Sequence, residues 1–264
     1  MLLMYAYPFV SSFTRSFIGS EGNLTLQNYV KTWDLYLKDV AFTFAVTVFS
    51  TSITAVLAVL LAVYLRFRQS LISRVLAGLS KLPIFIPFVV VAQMMVTFLA
   101  PHGLLNLALA QLGLINIDKP LQLFNFWGLS FGFIWKMVPF AVLIIHGGFQ
   151  MIDNSYIEAA RSAGARGVKV ITHILIPMSK SSIMVALVLV YSQVVGTFTL
   201  PYMLIGGKIP TTITVDIAHR VNYFRDFGVT NSLGVFSYLL VLATAIYYLR
   251  SSAKRAAEAE PSRR

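Results

Sequence analysis

Long apolar runs separated by short polar stretches divide this chain. Residues 40–65 carry no charge at all. A run of that length predicts a helix that crosses a hydrocarbon core of about 30 Å. Similar runs predict spans at 82–100, 126–147, 181–204 and 232–249. Residues 1–13 are apolar too, with Pro8 inside and Arg15 just beyond. A helix that short covers only about 21 Å. The first helix is therefore predicted to be short, or truncated by a start codon lying upstream. It has no basic leading segment and no small-x-small cleavage site, so it does not read as a signal peptide.

Between the fourth and fifth runs lies the longest polar interruption of the second half, 153–177, DNSYIEAARSAGARGVKVITHILIP. Ser155 followed three residues later by Glu158 is a capping-box pattern, with Asp153 and Asn154 as competing caps. Ala159, Ala160 and Ala163 favour helix. Gly164 suits the left-handed position that ends one. The pattern predicts a helix of two to three turns, a sharp turn over 164–167, a second apolar run, and Pro177 opening the next helix.

Composition sharpens the class. The chain is 57% hydrophobic and 12% charged, where a soluble domain is nearer 25% charged. The net charge of +11 does not point to nucleic acid, because the basic residues cluster at the ends of apolar runs. Thirteen lie on one predicted side (Arg66, Arg68, Arg74, Lys81, Arg161, Arg166, Lys169, Lys180, Arg250, Lys254, Arg255, Arg263 and Arg264) and seven on the other (Arg15, Lys31, Lys38, Lys119, Lys208, Arg220 and Arg225). The richer side is cytoplasmic by the positive-inside rule. That places 153–177 and the C-terminus inside the cell.

Several chemistries find no support. With no cysteine there is no disulfide framework and no thiolate metal site. His102, His146, His173 and His219 lack metal-ligand spacing. Gly206-Gly207-Lys208 is not a phosphate-binding loop, because Tyr202 and Ile209 stand where that loop needs glycine and a hydroxyl. The chain is expected not to be an enzyme and to hold no cofactor. All ten acidic residues fall in loops or at predicted membrane edges, which disfavours the alternative of an ion-coupled secondary transporter. Lys136 is the one charge well inside a span, beside Trp135 and Pro139. It either marks a lined cavity or subunit interface, or snorkels beside a kink. Ser192, Gln193, Thr197 and Thr199 either line a path or bond between helices.

Glu158-Ala159-Ala160, then Gly164, then Ile174-Leu175-Ile176-Pro177 resemble the EAA loop of ABC importer permeases, the membrane subunits of binding-protein-dependent uptake systems. Ala163 stands where the family often has an acid, and Ser181 where it often has a second proline. The resemblance implies an all-α polytopic membrane bundle of about six transmembrane helices. Residues 1–39 would form the short first helix and an extracytoplasmic loop. Residues 40–250 would form the type-1 transmembrane domain, and 251–264 a frayed cytoplasmic tail. Glu158, Ala159, Ala160, Gly164 and Pro177 would belong to a coupling loop that docks on a cytoplasmic ATPase subunit, which binds the ATP. Lys136, Gln193 and Thr197 would face the pathway or a subunit interface. The implied partners are the ATPase subunits, a second and different permease chain, an extracytoplasmic solute-binding protein and membrane lipid, in a bacterial plasma membrane. The segment 196–235 resembles permeases of the polyamine and ferric-ion importers more than those for sugars.

Overall fold

The computed structural model describes residues 2–19, 22–68, 70–79 and 82–259. Lys81, Arg263 and Arg264 of the basic count, and the acidic Glu21 and Glu260, lie outside them. Among the described residues the fold is helical, with one isolated bridge between Ile18 and Leu24 in place of any sheet. The elements in order are α1 (Leu2–Ser16), α2 (Gln27–Phe67), α3 (Leu71–Leu79), α4 (Leu82–Phe85), α5 (Phe88–Leu99), α6 (Leu104–Gln111) and α7 (Phe126–Gln150). Then follow α8 (Asn154–Ser162), α9 (Gly167–Val170), α10 (Ile176–Met178), α11 (Lys180–Gly196), α12 (Thr199–Ile205), α13 (Ile213–His219) and α14 (Phe227–Ala259). A π-helical turn, Ile171–Leu175, joins α9 to α10, and a second, Arg220–Phe224, follows α13.

Among the described residues four stretches are long and apolar enough to cross a membrane: Gln27–Phe67, Phe88–Gln111, Phe126–Gln150 and Phe227–Ile246. The pair Gly167–Met178 and Lys180–Gly196, bent by 70°, makes a fifth if it is taken as one broken span. The 15 residues of α1 reach about 22 Å, as the short first run predicts. It leans on α14 through the edge-on rings of Phe9 and Tyr238, 4.8 Å apart, and through the hydroxyl of Ser12, which donates to Asn231 Oδ1 at 2.7 Å.

The 41 residues of α2 make it the spine, about 60 Å long. Its inward face carries Ser50, Thr54, Ala58 and Ala62, one small residue every fourth position, all buried. Side chains that small let α2 lie close along α7, as membrane helices do where no hydrophobic force separates helix from lipid. The core formed there includes Phe133, Ile145 and Phe149 of α7 with Val46 of α2. On the other side α7 meets α11 closely: a Cβ on Gly148 would sit 2.5 Å from that of Ser182.

Three predicted boundaries shift, each for a local reason. The predicted span 82–100 is broken at Ile86–Pro87, because the residue before proline leaves the helical region and proline has no N–H to continue the ladder. The predicted span 181–204 stops at Gly196, where Thr197 turns extended, before α12 resumes. The last helix runs on through Ala259, past the predicted domain boundary at 250.

Candidate functional site: the 153–177 loop and its supports

The α8 helix stands at one end of the bundle between α7 and α9. Its cap is Asp153, whose carboxylate accepts from Ser155 N at 2.8 Å. The bond from the Ser155 backbone holds the Asp153 carboxyl below the ordinary aspartate range. The capping-box expectation is thereby corrected. Ser155 lies inside the helix, and Glu158 is exposed with no bonded partner among the described residues. Aspartate outcompetes serine here because it sits two residues earlier, where the backbone is still extended.

The other terminus is a complete left-handed closure. Ala165 N donates to Ala160 O at 2.9 Å and Gly164 N to Arg161 O at 2.9 Å. Those two bonds are the six-to-one and five-to-two pair of a Schellman motif. Gly164 has φ +83°, and no atom lies within 4 Å of where its Cβ would be. Ala160 and Ala165 pack toward the core, and Ile157 is buried. Glu158, Ala159 and Gly164 therefore face outward while the helix is anchored from beneath. Met151, Tyr156 and Val168 are exposed around them. Pro177 lies apart from this face, in α10, directly after the π-helical turn Ile171–Leu175.

Lys136 lies on α7, only 7% exposed. Its ammonium donates to Pro83 O at 2.5 Å, Ile86 O at 2.6 Å and Ile84 O at 3.4 Å, and it sits 5.3 Å from the centre of the Phe88 ring. The proton that Pro87 lacks would have gone to Pro83 O, four residues back. Lys136 supplies it from a neighbouring helix. The same side chain borders a cavity of about 320 Å³ that Gln193 also lines. Gln193 and Thr197 share a second hollow, of about 580 Å³, with Ser192 and Thr199. The structure thus brings Lys136 close to Gln193 and sets Thr197 one turn further on, its hydroxyl donating to Gln193 O at 2.6 Å.

Two features escaped the sequence reading. The first is Arg66, counted there only as a basic residue beside a membrane run. Its Nε donates to Phe149 O at 3.1 Å, and its Nη2 to Ile152 O at 3.0 Å and to Asn154 Oδ1 at 2.6 Å. The second is at the opposite end. Asp39 lies within α2, 3% exposed, and Asp216 within α13, 6% exposed. Asp39 Oδ1 accepts from Thr211 N at 2.7 Å. One Asp216 oxygen is buried with no partner.

Burial first, and then the Asp39 carboxylate, push the Asp216 carboxyl up to about 8, against the opposing pull of Arg220. The folded state therefore keeps a proton that the unfolded chain releases near pH 4. No penalty exists below that pH; it grows as pH rises toward about 8 and is complete above it. Asp216→Asn is expected to unfold at nearly the same temperature at pH 5 and pH 8, while the parent chain loses several degrees over that interval. Thermal unfolding of the detergent-solubilised chain across the range measures it. An equal slope for both proteins would refute the assignment.

Helices long and apolar enough to cross a bilayer, with a capped helix held out at one end by a tight loop, make this a polytopic membrane helix bundle. The chain belongs to the family of binding-protein-dependent transport system inner membrane components, which matches residues 54–255. It is similar to a trehalose/maltose transport system permease protein of Thermococcus litoralis, 26% identical over 89% of this chain and 80% of that one. It is also similar to a spermidine/putrescine transport system permease protein of Haemophilus influenzae, 27% identical over 58% of this chain and 54% of that one. Its fold matches a chain of the bacterial alginate ABC transporter, solved in complex with an alginate pentasaccharide-bound periplasmic protein, with a TM-score of 0.81 and 20% identity over 96% of this chain and 90% of that one. The chain is a permease subunit of an ABC importer, a multi-pass, non-enzymatic membrane component.

Proposed function

We propose that this chain forms one half of the transmembrane pathway of an ATP-driven importer, with the 153–177 loop as its coupling element. The observation that carries the reading is α8 itself, a short helix capped at both ends whose outward face is left exposed. Glu158, Ala159, Ala160 and Gly164 form the coupling segment, with Pro177 at the start of the return helix. The loop and the C-terminus face the cytoplasm, where ATPase subunits bind the nucleotide and dock on α8. A second, different permease chain completes the pathway, and an extracytoplasmic binding protein delivers the solute. The location is a bacterial plasma membrane. ATP binding favours one arrangement of the ATPase pair, and that preference shifts the bundle between its two accesses.

The solute is a small molecule. The likeness of 196–235 to polyamine and ferric-ion permeases makes that group the first to test. Relatives named for trehalose/maltose and for spermidine/putrescine make a sugar the direct comparison. Lys136, Gln193 and Thr197 lie beside the hollows such a solute would pass.

Orientation is the simplest test. A reporter active only in the cytoplasm, fused after residue 264, is expected to be active, and the same reporter fused at Asn125 to be silent. The reverse pattern would place α8 outside the cell and end the coupling reading.

A further inference from the structure

Among the described residues, side-chain hydrogen bonds attach α2 to other elements over residues 28–43 and again at Arg66, and not between them. At one end the guanidinium of Arg66 gathers three acceptors: two carbonyls from the close of α7 and the side chain of Asn154, the first residue of α8. Phe149 lies in the last turn of α7 and Ile152 just beyond it, and Phe149 O also accepts from Ile152 N at 3.4 Å. The rigid fork of arginine donors reaches both carbonyls and Asn154 at once, which a single ammonium does less well. One residue on, the Phe67 ring lies 5.6 Å from the Arg161 guanidinium, also on α8. The coupling helix is thus fastened to the last two residues of α2.

At the other end α2 holds the segment 211–226. Asp39 Oδ1 accepts from Thr211 N at 2.7 Å, and Thr43 Oγ1 accepts from Ile213 N at 3.0 Å. The Tyr36 hydroxyl accepts from Arg220 Nε, and the Arg220 guanidinium lies 5.2 Å from the Tyr36 ring centre. Between these attachments, from Thr47 to Leu65, no α2 side chain bonds to another helix among the described residues. The hydroxyls of Ser50, Thr51 and Thr54 are buried without partners. That middle stretch touches its neighbours through apolar packing, including the Phe49 ring against Phe126 and Trp127 of α7. α2 contains neither proline nor glycine, the usual sites of a sharp bend. About 40 Å separates Asp39 from Arg66 along its axis.

We propose that Arg66 is the positioning residue that ties the coupling helix to α2, and that α2 carries displacement of that helix to the 211–226 segment at the far end as a single rod. The proposal rests on α8 being the coupling helix. It goes beyond that reading by naming which helix transmits the movement and which side chain engages it. Mere lying between two sites does not establish transmission, so the test reads the far end directly.

The chain has no cysteine, so two introduced cysteines carry the only spin labels on it. One pair, I209C and L114C, is exposed at the far end. The protein is the full assembly with its ATPase subunits, and the probe is a non-hydrolysable ATP analogue. Nucleotide is expected to change the distance between the labels in the parent assembly. Arg66→Met is expected to abolish that change while the ATPase still co-purifies and hydrolyses ATP, because the outward face of α8 is untouched. Arg66→Lys is expected to restore part of it. Thr43→Val, at the other end of the rod, is expected to reduce it without touching α8. If Arg66→Met fails to accumulate, Asn154→Ala removes only the 2.6 Å bond and is expected to shrink the change. An unaltered distance change in these variants, or none in the parent assembly, overturns the proposal. Failure of the ATPase to co-purify with the parent chain would instead refute the coupling assignment of α8.

Discussion

Gly164→Asp is expected to abolish uptake while the protein still inserts in the membrane at near-normal amounts. Gly164 sits at φ +83°, and a side chain in a left-handed conformation costs about 1–2 kcal/mol, somewhat less for aspartate. Nothing within 4 Å would meet the new Cβ, so the chain itself has room for it. The Schellman bonds use backbone groups that aspartate also possesses. The intrinsic cost is thus small against the 5–15 kcal/mol that holds a typical fold. A large loss of transport must then arise outside the chain, where a docked ATPase surface would meet a carboxylate it has to desolvate. ATPase subunits should no longer co-purify, or should hydrolyse ATP without moving solute. Glu158→Ala should act in the same direction and more mildly, since its side chain supports nothing within the bundle. The measurement is uptake of the transported solute beside membrane abundance and co-purification. Normal uptake would reduce the loop to a connector.

Lys136→Met is expected to act on the fold itself. The substitution keeps the length of the side chain and removes the donors that meet Pro83 O and Ile86 O at 2.5 and 2.6 Å. Ile86 O is then left without a donor, at a cost of about 1–3 kcal/mol, while Pro83 O keeps a 3.3 Å bond from Ile86 N. That loss is a sizeable fraction of the roughly 5–15 kcal/mol that holds a typical fold. The α4–α5 break should then reorganise, because Pro87 cannot donate and no other side chain of the described residues reaches those carbonyls. Membrane abundance should fall severalfold, and thermal unfolding in detergent should move down by more than about 5 °C. Lys136→Arg should lie between, since it keeps the charge and the donors and the adjoining cavity of about 320 Å³ gives it room. A methionine variant that unfolds within a degree or two of the parent would show that the carbonyls find other partners.

These two residues also mark what a single sequence discloses. The spans were legible because a charge-free run as long as 40–65 has few other uses. The coupling helix was legible because its closing signal is local: a glycine after three alanines needs no knowledge of the rest of the fold. Its opening was misassigned between near neighbours, Asp153 and Ser155, because either side chain can cap and only the backbone conformation chooses.

Lys136 stands out in the sequence but its role does not, because its partners lie some fifty residues earlier in the chain. The spacing of Pro83 and Pro87 does announce a carbonyl without its donor, though not which residue supplies one. Arg66 was hidden for a different reason. Basic residues beside membrane runs are expected from insertion alone, so its bonds to Phe149, Ile152 and Asn154 left no separate mark. By sequence alone Asp39 stands at a membrane edge. Its burial against the 211–226 segment depends on how that segment folds back on α2.

The central claim is that α8 meets an ATPase subunit in the cytoplasm, and A159C tests it most directly. Ala159 lies on the exposed face of α8, and the chain's lack of any other cysteine makes this thiol its only one. In intact cells expressing the whole system, a short bifunctional thiol reagent that crosses membranes should join the chain to the ATPase subunit, given a cysteine on that subunit's docking groove. A thiol reagent that cannot cross membranes should leave A159C unlabelled until the cells are opened. Labelling from outside intact cells, with no cross-linked product, would contradict the account.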